Sequence, residues 1–252
     1  MSTANLILHC GAREVTRDEL AVIPCPPPEG RWRPVPHHQV LDYAVKALDD
    51  AGYQLSKMQL GLTRDDQRFF GTLVLKSALV SGVSLAVGLR SSLDKSISLQ
   101  WACGHHVFVC DNMAFKSEQV IARKHTTNGV LRYQEAICNA VVNLTEFREQ
   151  EASRIKALTY RDLSDMQAES LLLRCYEAEI LSPRTIHTAI TEWRTPSFEE
   201  FEPRTAWSLF NSVTFALGNR AKSNPQALAA LTSKLGALLS PDAAIPQLVN
   251  PV

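Results

Sequence analysis

What the sequence lacks narrows its function first. It has no excess charge of either sign: 26 Lys and Arg balance 26 Asp and Glu in 252 residues. No global field therefore draws it to nucleic acid or to an anionic membrane, and any anion site must be a local cluster. No apolar run approaches the roughly 18 residues that a membrane-spanning helix needs. The opening "MSTANLILHCGAREV" lacks a basic start, and His9, Cys10 and Arg13 follow its short apolar run, which does not fit a signal peptide. Six cysteines, at positions 10, 25, 103, 110, 138 and 175, form no CxxC pair and no small secreted framework. They read as reduced thiols in a cytoplasmic protein. There is no repeat of solenoid period and no glycine elbow around a nucleophile. What remains is an ordinary globular composition, 45% hydrophobic and 21% charged, able to bury a substantial core.

The chain changes texture along its length. Residues 1–36 include "IPCPPPEGRWRPVP", whose prolines remove amide donors and favour extended backbone, so this stretch reads as an arm that packs on a neighbour or on the domain itself. Residues 37–252 read as a single α+β domain, with a helix and a β-meander over 37–125 and a mostly helical half over 126–252. Val40, Leu41, Ala44, Val45 and Leu48 recur at three- and four-residue intervals and Gly52 follows, which predicts an amphipathic helix from His37. "YQLSKMQLGLT" and "RFFGTLVLKSA" flank the polar "RDDQ" and predict a hairpin; "VSLAVGLR", "SISLQWAC" and "HVFVCD" follow as strands. In the first two, Val83, Leu85, Val87 and Leu89 alternate with Ser84, Ala86, Gly88 and Arg90, and Ile97, Leu99, Trp101 and Cys103 with Ser96, Ser98, Gln100 and Ala102. The expectation is an antiparallel meander whose apolar face packs on helices and whose small, polar face is left to water or a ligand.

Asp111 and Asn112 read as caps of a helix over "MAFKSEQVIARK". A long helix is expected between Val130 and Ala157, and further helices in "SDMQAESLLLRCYEAEIL", with Ser164 or Asp165 as cap, in "TAWSLFNSVTFALGNRAK" and in "PQALAALTSKLGALL". Trp193, Arg194, Phe198, Phe201, Trp207 and Phe210 crowd into a short span. Glu192, Glu199, Glu200 and Glu202 between them argue against a phosphate-lined path, so this region reads as a helix-loop-helix serving the core or an oligomer contact.

Three chemistries bear on "CGHHVFVC" and its neighbours. Cys103, His105, His106 and Cys110 are zinc-ligand types, but on a strand His105 and His106 point to opposite faces, so buried cysteines and a polar turn are expected here in place of a metal site. Cys110 with a nearby His or His125 as base has no nucleophile signature around it, and a thiol after Val109 reads as core. Paired carboxylates for two-metal chemistry are reduced to Asp94 and Asp111. No catalytic residue, metal or cofactor is assigned.

The cations give the sharper expectation. Arg90 and Lys95 lie at the ends of the two alternating strands, Lys116, Arg123 and Lys124 follow the sheet with His125, and Arg132 opens the long helix. A single-strand site needs cations to track phosphates and flat groups to support bases, and Ser96 and Ser98 would add hydroxyl donors. The blander possibility is that Arg90, Asp94 and Lys95 form a solvated turn.

"GLRSSLDKS", "VFVCDNMAF", "EWRTPSFEEF" and "RTAWSLFNSVT" occur in the order of the signature blocks of the phage- and plasmid-borne family known as domain of unknown function 932, which this chain resembles over about Gly88 to Leu217. The family often carries histidine where this chain has Leu93, which argues against an acid-base role there. Helix, β-meander and long crossing helix are also similar to the core layout of the Erf- and RecT-type single-strand annealing proteins, which act as rings or filaments. The resemblance implies a non-enzymatic DNA-interacting factor of mobile-element origin, binding or annealing single-stranded DNA, with a homo-oligomer in view and no membrane partner. The alternative is an enzyme or counter-defence regulator acting on a small molecule or partner protein.

Overall fold

The computed structural model describes residues 12–107, 112–222 and 225–240, with side chains apart from those of 112–113, 115–119, 219–222 and 225–226. It is an α+β architecture. Six strands form one antiparallel sheet in sequence order: β1 (Arg13–Glu14), β2 (Leu55–Leu62), β3 (Arg68–Val80), β4 (Val83–Ser92), β5 (Leu99–Val107) and β6 (Asn112–Arg123). The helices are α1 (Arg17–Ala21), α2 (His37–Asp50), α3 (Thr127–Val142), α4 (Leu144–Thr159), α5 (Asp165–Glu177), α6 (Ile186–Arg194), α7 (Ala206–Lys222) and α8 (Pro225–Leu238).

The chain groups into two compact units. One comprises residues 1–152 and 218–230 and carries the sheet with α1–α3; the other comprises 153–217 and 231–252, and its described residues are mostly helical. α7 is broken at Gly218 (φ 64), a left-handed geometry that glycine adopts without a Cβ penalty.

In the first unit, α2 buries Val40, Leu41, Ala44 and Leu48, as its spacing predicts. The β2–β3 hairpin closes through the expected polar turn: Thr63 Oγ1 donates to Asp65 at 2.6 Å, Asp65 accepts from the Gln67 amide at 3.2 Å, and Asp66 takes φ 57. Phe69, Leu73, Leu85, Val87, Leu89 and Trp101 fall on one face through the registers Phe69↔Ser91, Leu73↔Val87 and Leu89↔Trp101, and all are fully buried. His37 of α2 sits against Phe69 with ring centres 5.7 Å apart, and the Tyr133 hydroxyl of α3 donates to the Gln100 carbonyl at 3.1 Å. The apolar face thus packs on helices.

Four expectations need correcting. The small, polar face of β4 and β5 is not open: apart from the half-buried Arg90, both strands are buried along their whole length, with Ser84, Gly88, Gln100, Ala102 and His106 included. Alternation reports polarity, not cover, and Ser, Ala and Gly suit close packing as well as water. Next, "MAFKSEQVIARK" is not a capped helix. All of it up to Arg123 lies in β6, where the hydrogen-bonding edge of β5 captures it through pairs such as Trp101↔Ile121 and His105↔Ala114, overriding local propensity. Gly104 and His105 also belong to β5 and form no turn. Finally, the helix expected between Val130 and Ala157 is two helices that meet at Asn143, whose amide closes on Asn139 and Val141 carbonyls.

The arm is more structured than its prolines imply. Thr16 and Glu19 form a capping box that starts α1, and Arg13–Glu14 pairs with β2. Between Pro24 and α2 the chain has neither helix nor strand, apart from a bridge between Glu29 and Trp32, and it is tied to its own unit at Arg33.

In the second unit, Ser164 and Gln167 form the capping box of α5. Trp193 Nε1 donates to Asp165 at 3.1 Å, the buried Glu192 carboxylate accepts from Ser197 N and Oγ at 2.9 and 2.8 Å, and the Arg204 guanidinium lies over Trp193 and donates to its carbonyl. Trp207 and Phe210 stack at 5.4 Å and are buried, and Asn211 donates to the Trp207 carbonyl within its own helix. The aromatic block therefore serves packing here.

A cationic cleft as the candidate functional site

Two backbone devices bring distant segments together. Glu29 and Trp32 exchange amide–carbonyl bonds at 3.1 and 2.9 Å around Gly30 (φ 56), making a tight bridge that presents Arg31 and Trp32. The Arg33 amide then donates to the His125 carbonyl at 2.7 Å, tying the arm to the β6–α3 connection. Thr126 caps α3 there, its Oγ1 accepting from the Gly129 amide at 3.0 Å. Gly129 is required by space: a Cβ at this position would lie 2.0 Å from the Lys124 carbonyl oxygen and 2.8 Å from Thr126 Oγ1.

The β4–β5 connection supplies the third wall. Asp94 accepts from the Ser96 amide at 2.9 Å and from Arg68 Nε at 2.9 Å, and Ser96 Oγ also bonds to it. Burial works against this carboxylate, but the bonds from Ser96, Ser92 and Arg68 hold it well below the ordinary range. The turn forces Lys95 to φ 66, a left-handed conformation that disfavours a side chain. Its ammonium lies 5.0 Å from the centre of the Trp32 ring and forms an ion pair with Glu29.

Between these three segments lies a cleft of about 280 Å³. Arg31, Lys95 and Lys124 supply its charge and Trp32 its flat wall; Ile97, Ser98, His125 and Thr126 complete it, with no carboxylate among them. The N-terminus of α3 adds positive potential beside Lys124. His125 contributes no charge near neutral pH, since burial pushes its imidazole down to about 4, against a contrary pull from the Ile97 carbonyl.

Of the candidate positions read from the sequence, Lys95, Ser98 and Lys124 share this cleft. Ser96 is occupied in the Asp94 turn, accepting from Arg68 Nε at 3.0 Å. Arg90, its guanidinium 5.4 Å from the Phe70 ring, lies outside the cleft lining, as do Arg123, which donates to the Ala122 carbonyl at 2.9 Å, and the exposed Arg132. The Lys116 side chain and the Cys110–Asp111 corner lie outside the described residues. Sequence reasoning missed Arg31, Trp32 and Thr126; the basic-aromatic "GRWR" inside a proline-rich stretch was the available signal.

The other weighed residues are engaged in the interior. His105 Nδ1 and Glu151 Oε1 are 2.8 Å apart, both buried, and burial pushes the Cys103 thiol far up. Leu93 is buried and donates its amide to the Gln67 carbonyl at 2.8 Å. Among the described residues no helix is long and apolar enough to cross a membrane.

Comparison with curated proteins and with solved structures returns no match, so the likeness of layout to the Erf and RecT annealing proteins gains no support from them. A family model does match, over residues 28–238, which includes every segment of the cleft: the chain belongs to the family described as Domain of unknown function (DUF932).

Proposed function

We propose that the chain is a DNA-interacting protein that holds single-stranded DNA at the arm cleft. One observation carries the reading: in a charge-neutral protein, Arg31, Lys95 and Lys124 converge beside a half-exposed tryptophan in a cleft lined by no acid. Cations neutralise phosphates and provide most of the non-specific affinity, and an aromatic face accepts any unpaired base. Ser98 and Thr126 place hydroxyls within the same lining for phosphate oxygens.

This site replaces the trough along the polar sheet face, which is buried. The left-handed Lys95 favours a functional use, because a lysine held where glycine is preferred carries backbone strain. Annealing of complementary strands is the finer form of the same reading. Titration of a fluorescent oligothymidylate against salt tests it: affinity that falls steeply with salt supports it, and no binding at low salt removes it.

A further inference from the structure

The Lys95 ammonium that the cleft offers to a phosphate already has an anion. The Glu29 carboxylate pairs with it from the far end of the bridge that presents Trp32, and the side chains of Lys95 and Glu29 are 50% and 74% exposed. Hydrogen bonding to Lys95 lowers the Glu29 pKa, so the carboxylate is charged at neutral pH. Trp32 and Lys95 also line a second hollow, of about 570 Å³, in which Glu29 and Asp94 are present. The Lys95–Trp32 pair therefore stands between an acid-free cleft and a hollow that contains two carboxylates.

We propose that Glu29 is a built-in competitor for the ligand, occupying Lys95 until a polyanion that also reaches Arg31 and Lys124 displaces it. The inference rests on the functional reading above. The bridge and Gly30 fix the position of the Glu29 backbone, so its carboxylate faces Lys95 at an effective concentration on the order of millimolar. A monoanion that touches Lys95 alone exchanges one carboxylate for one phosphate and gains little. An exposed ion pair is nevertheless weak, and a ligand held at two further cations displaces it readily. After release, the tethered carboxylate returns to the same lysine, which favours dissociation of partly bound strands.

The test is a double-mutant cycle. Wild type, Glu29→Gln, Lys95→Met and the double variant are titrated with a labelled oligothymidylate of about twelve nucleotides across a salt series, with thymidine monophosphate as competitor and melting temperatures as a control on folding. Glu29→Gln is expected to bind the oligonucleotide up to about 5-fold tighter, the gain available from releasing an exposed ion pair. That gain should shrink as salt rises, because salt also weakens the exposed Glu29–Lys95 pair, so its plot of log affinity against log salt should be steeper than that of wild type. Thymidine monophosphate, which must displace the same ion pair, should gain by no more than the same factor, and in the Lys95→Met background Glu29→Gln should change nothing. If wild type binds and Glu29→Gln shows the same affinity and slope, or gains equally without Lys95, the competitor role is overturned while the strand site stands. If neither protein binds at low salt, the functional reading fails and takes this inference with it.

Discussion

The ammonium of Lys95 lies 5.0 Å from the centre of the Trp32 ring, joining the β4–β5 turn to the proline-rich arm. Each residue is held by an independent backbone device: Lys95 by the Asp94–Ser96 turn, Trp32 by the bridge to Glu29. The contact is thus set up by local structure on both sides, and the cleft lined by both residues has a defined form.

Relief of the turn separates stability from function at Lys95. Its φ of 66 costs a residue with a Cβ on the order of 1 kcal/mol relative to glycine. Lys95→Gly is expected to leave the melting temperature unchanged or raise it slightly, while oligonucleotide affinity falls severalfold. A fall of many degrees in a thermal melt would show that the side chain serves folding instead.

Gly129 is the opposite case. Its missing Cβ would meet the Lys124 carbonyl at 2.0 Å, so Gly129→Ala must move the β6–α3 connection, with a cost of about 2 kcal/mol or more. Thr126→Ala removes only the cap and should cost about 1 kcal/mol. Urea denaturation of the two variants should preserve that order, and Gly129→Ala should weaken strand binding more because Lys124 shifts with its backbone.

Acid should act through His125. Its folded pKa, depressed by burial to about 4, lies below an unfolded value near 6.5, so the unfolded chain takes the proton first. Stability is full above about pH 6.5 and falls as pH drops toward 4, by at most about 3 kcal/mol from this group. His37, also buried and depressed, acts in the same direction. His125→Gln should lower the melting temperature at pH 7.5 through lost packing and flatten its decline between pH 6.5 and 4. An unchanged pH profile would show that the imidazole titrates normally.

Much of this was legible in the sequence where the causes are local. The α2 spacing and the "RDDQ" hairpin are set by neighbours in the chain, and the α+β class follows from strands preceding helices. β6 was not legible, because an apolar and charged mixture such as "MAFKSEQVIARK" takes its form from the open edge of β5. Nor was the cover over Ser84 and Gly88, since the sequence states a side chain's polarity and not what lies above it. Within the cleft, Lys95, Ser98 and Lys124 were found because strand ends near basic residues attract attention. Arg31 and Trp32 were missed because their placement depends on the Arg33–His125 backbone bond, which no periodicity announces.

The central claim is that the cleft cations act together on one strand. Its most direct measurement is single-stranded oligonucleotide affinity at fixed low salt for Arg31→Glu and Lys124→Glu, compared with Arg132→Glu, which makes the same charge change outside the cleft lining. The account predicts losses of tenfold or more for each cleft variant, a small loss for Arg132→Glu, and equal melting temperatures throughout. Equal losses for all three variants, or none for the cleft pair, would contradict it.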